Sequence, residues 1–180
     1  MAPPDSEAEY LEYVAAKSPW LRRVAFLLCQ DWHRADDLVQ TAITKLYVNW
    51  SKAAKVEHLD AYARMTLVNS YLAEQRTTWW RRMLPRGDPD TGTAAEAAAA
   101  AASAPGSDLD MSLDLRAALA ALPPGQRTTL VLRFYCDLSV QQTAELMSCS
   151  TGTVKSQTSR GLEALRRILD AQPTFQAEGA

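Results

Sequence analysis

The amino-acid sequence predicts an all-α protein of two small helical domains joined by a flexible linker. Three observations carry this expectation. Apolar residues recur at helical spacing in several segments, no segment shows a convincing period-two strand pattern, and one long stretch rich in proline, glycine and alanine interrupts the periodicity. With 180 residues, 47% of them hydrophobic, the chain can bury two modest cores.

Ser18 and Pro19 fit the cap and first position of a helix in which Leu21, Val24, Ala25 and Leu28 follow at helical spacing. A second helix is expected to start near Asp36 and Asp37. Its apolar residues fall in two adjacent rows, Leu38/Ala42/Leu46/Trp50 and Val39/Ile43/Tyr47, which make a wide stripe for burial. Asp37, Gln40, Thr41, Thr44 and Lys45 remain on the other side, available to a partner. Asp60 can cap a third long helix, with Ala61, Met65, Val68 and Leu72 at core spacing. Residues 1–86 therefore read as a helical bundle.

After Met83 the pattern breaks down. Pro85, Gly87, Pro89 and Gly92 precede an alanine run from Ala94 to Ala102, interrupted by Glu96 and followed by Pro105 and Gly106. Residues 87–108 are a linker by composition, and alanine allows part of it to be helical. A C-terminal part, 109–172, follows, with a short polar tail over 173–180.

The C-terminal part opens with a helix carrying Leu115, Leu119 and Leu122, ended by Pro123 and Pro124, and continues with a helix bearing Leu130, Val131 and Phe134. Ser139-Val140-Gln141-Gln142 matches a capping box, Ala144 to Met147 completes a short helix, and Ser148-Cys149-Ser150 connects tightly to a longer helix from Thr151. Helix, short turn and longer helix is the helix-turn-helix pattern.

In such a unit the leading residues of the second helix enter the major groove, where donors reach base edges and the helix N-terminus favours phosphates. Thr153, Lys155, Ser156, Gln157, Ser159 and Arg160 occupy that end, while Val154, Leu162, Leu165 and Leu169 supply apolar surface for packing. Lys155, Arg160, Arg166 and Arg167 outweigh Glu163, a local basic footprint in a chain of net charge -2. Gly161 is the awkward residue, because glycine inside a helix costs about 1 kcal/mol relative to alanine unless close packing or close approach of DNA compensates. A second cluster ends the third N-terminal helix: Arg76, Trp79, Trp80, Arg81, Arg82 and Arg86, with no acidic residue from Gln75 to Arg86. Aromatics interleaved with arginines suit melted DNA, since bases stack on the rings for roughly 1–3 kcal/mol each while guanidinium groups track phosphates.

Other function classes recede. The net charge argues against general polyanion binding. Cys29, Cys136 and Cys149 are odd in number and widely spaced, which suits reduced thiols rather than a disulfide framework or zinc site. No stretch approaches the roughly 18 apolar residues of a membrane span, and Met1 to Glu9 lack signal-peptide character, so a cytoplasmic protein without membrane insertion is expected. With no P-loop, metal-ligand cluster or nucleophile constellation, neither a cofactor nor enzymatic activity is expected, and Asp36 with Asp37 reads as helix-terminal charge.

From about Tyr10 to Leu169 the sequence resembles extracytoplasmic-function sigma factors of the sigma-70 family. DLVQTAITKLYVNW, from Asp37 to Trp50, is similar to conserved region 2.2, and LPPGQRTTLVLRFYCDLSVQQTAELMSCSTGTVKSQTSRGLEALRR, from Leu122 to Arg167, is similar to region 4. The resemblance implies a factor that binds core RNA polymerase and directs it to promoter DNA. Its partners would be the beta-prime clamp helices, the beta-flap and the minus-ten and minus-thirty-five elements, with an anti-sigma factor as a further candidate. By position it assigns Asp37, Gln40 and Thr41 to the polymerase-binding face and Asn69 to capture of a minus-ten base. Arg76 onward resembles region 2.4. Lys155, Ser156, Ser159 and Arg160 fall at upstream-element contacts, with Arg127 as a phosphate-contact candidate. Thr41 replaces a commonly acidic residue, and Val68 stands where many members have arginine; both resemble an actinobacterial sigma-E-like subgroup.

The linker suits this geometry. Elements about 17 base pairs apart lie roughly 58 Å apart. Gly87 to Ser107 is 21 residues, which extend to about 70 Å but average only about 25 Å as a coil, so the polymerase must hold the domains apart. The alternative is a helix-turn-helix regulator that binds a palindromic site as a dimer without polymerase.

Overall fold

In the computed structural model the described residues are 4–83 and 113–171, with side chains over 6–77 and 113–171. They belong to two compact units, Met1–Pro89 and Asp90–Ala180. The expected linker and tail, and the side chains of Trp79, Trp80, Arg81, Arg82 and Arg86, lie outside the described residues. Every described element is helical, as the periodicity predicts, and no described helix is long and apolar enough to cross a membrane.

The first unit contains α1 (Pro4–Cys29), α2 (Trp32–Val48), the short α3 (Trp50–Ala53) and α4 (Leu59–Met83). Its core joins Leu21, Val24 and Leu28 of α1 to Leu38, Ala42 and Leu46 of α2 and Leu67, Val68 and Tyr71 of α4. Three helical starts differ from expectation. Helix α1 does not begin at Ser18 but runs straight through Pro19. Both Ala15, whose carbonyl loses its helical partner, and Pro19 itself are exposed, so water can satisfy that carbonyl. The Ser18 hydroxyl turns back to the Val14 carbonyl at 2.6 Å instead of capping.

Tertiary burial explains the longer helix. Tyr10 is buried, donates its hydroxyl to the Ile43 carbonyl at 2.9 Å, and meets Tyr47 and Trp50 edge-on at 5.0 and 5.3 Å. Helix α2 begins at Trp32 rather than near Asp36, because the Asp31 carboxylate accepts the Arg34 N–H and caps it. Asp36 is then no terminal charge: it binds the Arg22 guanidinium in a forked pair. That guanidinium also lies 4.3 Å above the Trp32 ring, which stacks on Phe26. Gln30 makes the corner between α1 and α2 with a left-handed φ of 59°.

Asp60 sits in the first turn of α4, and its carboxylate accepts from Lys17 Nζ at 2.6 Å and Tyr13 Oη at 3.1 Å, tying α4 to α1 rather than capping α4. The core spacing along α4 holds for Val68 and Leu72, while Ala61 and Met65 are half-buried.

The second unit contains α5 (Leu113–Ala121), α6 (Pro124–Leu130), α7 (Val140–Met147) and α8 (Thr151–Asp170). Pro124 opens α6 at the position where its missing N–H costs nothing. Helix α6 continues into one π-helical turn, Val131–Tyr135. This wider turn shifts the register, so Leu132 and Cys136 are buried and Phe134, expected in the core, is 60% exposed. All three cysteines are free thiols; Cys29 and Cys136 are buried and Cys149 is half-buried.

Candidate polymerase and nucleic-acid surfaces

The helix-turn-helix is built by local chemistry. Ser139 Oγ accepts the Gln142 N–H and the Gln142 side chain accepts the Ser139 N–H, closing the expected capping box on α7. Ser148 ends α7 with φ 52°, in the left-handed region, and the Cys149 N–H reaches back to the Ala144 carbonyl at 3.0 Å. Ser150 then caps α8 by accepting the Thr153 N–H at 3.1 Å. The turn is therefore three residues, closed at both ends by hydrogen bonds.

Val154 is buried on the inner side of α8, and the awkward Gly161 finds its account there. A Cβ at 161 would lie 3.1 and 3.2 Å from Leu130 Cδ1 and Cγ and 3.4 Å from Gln126 Cβ. Its glycine lets α8 and α6 approach closely, which offsets the helix penalty. Leu162, expected to pack, is 45% exposed; Leu165 and Leu169 are half-buried. On the outer side Thr153, Lys155, Ser156, Ser159 and Arg160 are exposed and Gln157 is half-buried. The Thr153 hydroxyl lies 2.9 Å from Ser150 Oγ, and Ser156 Oγ donates to the Thr153 carbonyl at 3.0 Å. Among the described residues Lys155 and Arg160 form no ion pair, so their charge faces solvent.

Arg127 departs from this group. It is buried, and its Nη1 donates to the Ala120 and Leu122 carbonyls at 3.3 and 3.1 Å. The guanidinium satisfies carbonyls at the end of α5, which gives Arg127 a role in the fold of the second unit. Position in the motif could not show this, because α5 and α6 meet only once the two prolines have turned the chain.

On α2, Ala35, Leu38, Val39, Ala42 and Leu46 are buried while Asp37, Gln40, Thr41 and Thr44 are exposed on the opposite side, as the two-row pattern predicts. The second row is the margin of the stripe: Ile43 is half-buried and Tyr47 is 45% exposed. The Thr41 and Thr44 hydroxyls donate to the Asp37 and Gln40 carbonyls at 2.9 and 2.7 Å. Lys45 is exposed with this face, and its Nζ also donates to Ser70 Oγ of α4 at 2.9 Å, a tie between helices that no spacing rule reveals. Asn69 and Arg76 are exposed on α4, and a separation of seven residues puts them on one face.

Comparison with known proteins matches a family model to a stretch of each unit. Residues 13–81 match the family model described as sigma-70 region 2, and residues 112–165 match sigma-70, region 4. RNA polymerase sigma-E factors of Streptomyces avermitilis and Streptomyces coelicolor are each 34% identical over 164 residues, covering 91% of this chain and 87% and 88% of theirs. The ECF RNA polymerase sigma factor SigW of Bacillus subtilis is 26% identical over 151 residues, 76% of either chain. The sigma factor RpoE of Bartonella quintana, solved in complex with the anti-sigma factor NepR, shares the fold with a TM-score of 0.59 at 22% identity, covering 91% of this chain and 98% of that one. The matches give no support to a regulator that works without polymerase. With both regions present in sequence and fold, and relatives matched over nine-tenths of its length, the chain belongs to the sigma-70 family as an RNA polymerase sigma factor of the extracytoplasmic-function kind.

Proposed function

We propose that the two units divide promoter recognition between them. The α2 face of Asp37, Gln40, Thr41, Thr44 and Lys45 docks on the beta-prime clamp helices of core polymerase, with Lys45 also bonded to Ser70 of α4. Asn69, Arg76, Trp79, Trp80, Arg81 and Arg82 along and beyond α4 capture opened minus-ten DNA. Thr153, Lys155, Ser156, Gln157, Ser159 and Arg160 on α8 read the duplex minus-thirty-five element, and the second unit also meets the beta-flap. The chain contributes recognition while the polymerase supplies the chemistry, in the cytoplasm where the polymerase works. An anti-sigma factor is a partner of the same proposal, supported by the neighbour captured with NepR.

The observation that carries this reading is the pairing, in one chain, of a polar α2 face over a buried stripe with an exposed basic face on a helix-turn-helix. Reconstituted transcription with core polymerase tests it. Adding the chain should create defined start sites on genomic DNA. Lys155→Ala with Arg160→Ala should weaken the upstream footprint and reduce the salt dependence of binding by about one unit per lost phosphate contact. Trp79→Ala with Arg81→Ala should impair opening while leaving upstream protection. Identical defects in the two double variants would refute the division.

A further inference from the structure

Ser70 is out of character on the inner side of α4. It is 4% exposed, and its neighbours Leu67, Val68, Tyr71 and Leu72 are buried, a setting that favours an apolar residue. Its hydroxyl donates back to the Thr66 carbonyl at 2.9 Å, a bond that adds no helical stability. The same oxygen accepts the Lys45 ammonium of α2 at 2.9 Å. Gln30, the other buried polar residue among the described side chains of the first unit, makes a local bond to the Leu27 carbonyl. Ser70 is thus the buried polar group that joins two helices, and those two carry the proposed polymerase and minus-ten surfaces.

We propose that Ser70 is a positioning residue for minus-ten recognition: through Lys45 it fixes the rotation and register of α4 on α2, and so the place of Asn69 relative to the polymerase-binding face. This inference rests on the proposed reading of those two surfaces. Successive helical residues are turned by about 100°, which leaves Asn69 exposed where Ser70 faces inward. Apolar packing between α2 and α4 is non-directional and tolerates small slides, whereas a hydrogen bond demands its own distance and angle. Capture of a single base needs the side chain placed to within about 0.5 Å. While the clamp helices hold α2, a slip of α4 on α2 is a slip of Asn69 on the DNA strand. Arg34 also reaches from α2 to Glu74 of α4, but at 3.4 Å between half-exposed side chains it is the looser tie.

The test uses the chain bound to saturating core polymerase and a promoter fragment selected from genomic DNA by the wild-type holoenzyme. Affinities for its minus-ten single strand and for its upstream duplex are measured separately. Ser70→Ala should lower minus-ten affinity about fivefold. It should leave upstream affinity and the unfolding temperature near wild type, because the freed Lys45 is exposed and its ammonium turns to water. Lys45→Met should give a similar minus-ten loss, and the double variant no more than either single, since both remove one bond. Wild-type minus-ten affinity in Ser70→Ala overturns the inference. Losses that multiply in the double variant also overturn it, as does a loss accompanied by a lower unfolding temperature, which marks a merely structural role. If Asn69→Ala leaves minus-ten affinity unchanged, the assignment of α4 itself fails and the inference with it. A loss in Asn69→Ala without one in Ser70→Ala defeats only the positioning role.

Discussion

Helices α2 and α8 both turn a polar face outward, but they are held in different ways. Helix α2 spans 17 residues and buries five of them between α1 and α4, so its outer face rides on a filled core. Its hydroxyls are already bonded to their own helix, and its Lys45 is tied to Ser70. Helix α8 spans 20 residues and fully buries only Val154 and Gly161. Its inner side packs on α5, α6 and α7, while Lys155, Arg160, Arg166 and Arg167 all remain exposed. A face backed by a core suits docking onto a rigid protein surface, whereas a projecting cationic helix suits insertion into a groove.

Substitutions can break this contrast. The largest effect is expected from Leu38→Ala beneath the α2 face. Leu38 has no exposed surface, and removing its side chain should lower unfolding stability by about 3 kcal/mol in a chemical denaturation experiment. On α8 the corresponding site is Gly161. Gly161→Val forces new methyl groups into Leu130 and should cost about 2 kcal/mol, read as a lower melting temperature of the second unit.

Arg127→Met comes next. It removes two hydrogen bonds to the end of α5 and should cost about 1.5 kcal/mol, yet leave upstream affinity per folded molecule unchanged. A large loss of affinity with intact stability would return Arg127 to the DNA-binding set.

The smallest effect is on pH dependence. The Arg22 guanidinium bonded to Asp36 holds that carboxyl below its ordinary value, and Lys17, with Tyr13, does the same for Asp60. A depressed folded-state value stabilises the native chain above the unfolded carboxyl value near pH 4, and this is lost as pH falls through the folded value. Both carboxylates are half-exposed, so the contribution is small. Asp36→Asn with Asp60→Asn should flatten the stability profile of the first unit below about pH 4, measured by acid titration of helicity.

The motif-bearing segments were legible because their signals are local. The capping box at Ser139, the turn at Ser148 to Ser150 and the two-row stripe of α2 are each written within a few residues, and each is found where its residue pattern puts it. The outer residues of α8 were legible for the same reason. Helix starts were less so. Ser18-Pro19 is a good local start signal, but burial of Tyr10 among Tyr47 and Trp50 outweighs it. Asp60 is a good cap by type, but Lys17 and Tyr13 take its oxygens.

The sequence by itself determined the helical class, the boundary of the helix-turn-helix and the side of α2 that faces outward, since spacing and capping act between near neighbours. Tertiary structure alone decided that Arg127 and Lys45 are structural ties, that Phe134 points outward and that Gly161 is a packing residue while Gly152 is not. Those outcomes depend on which atoms of distant segments meet, and periodicity carries no information about a partner on another helix.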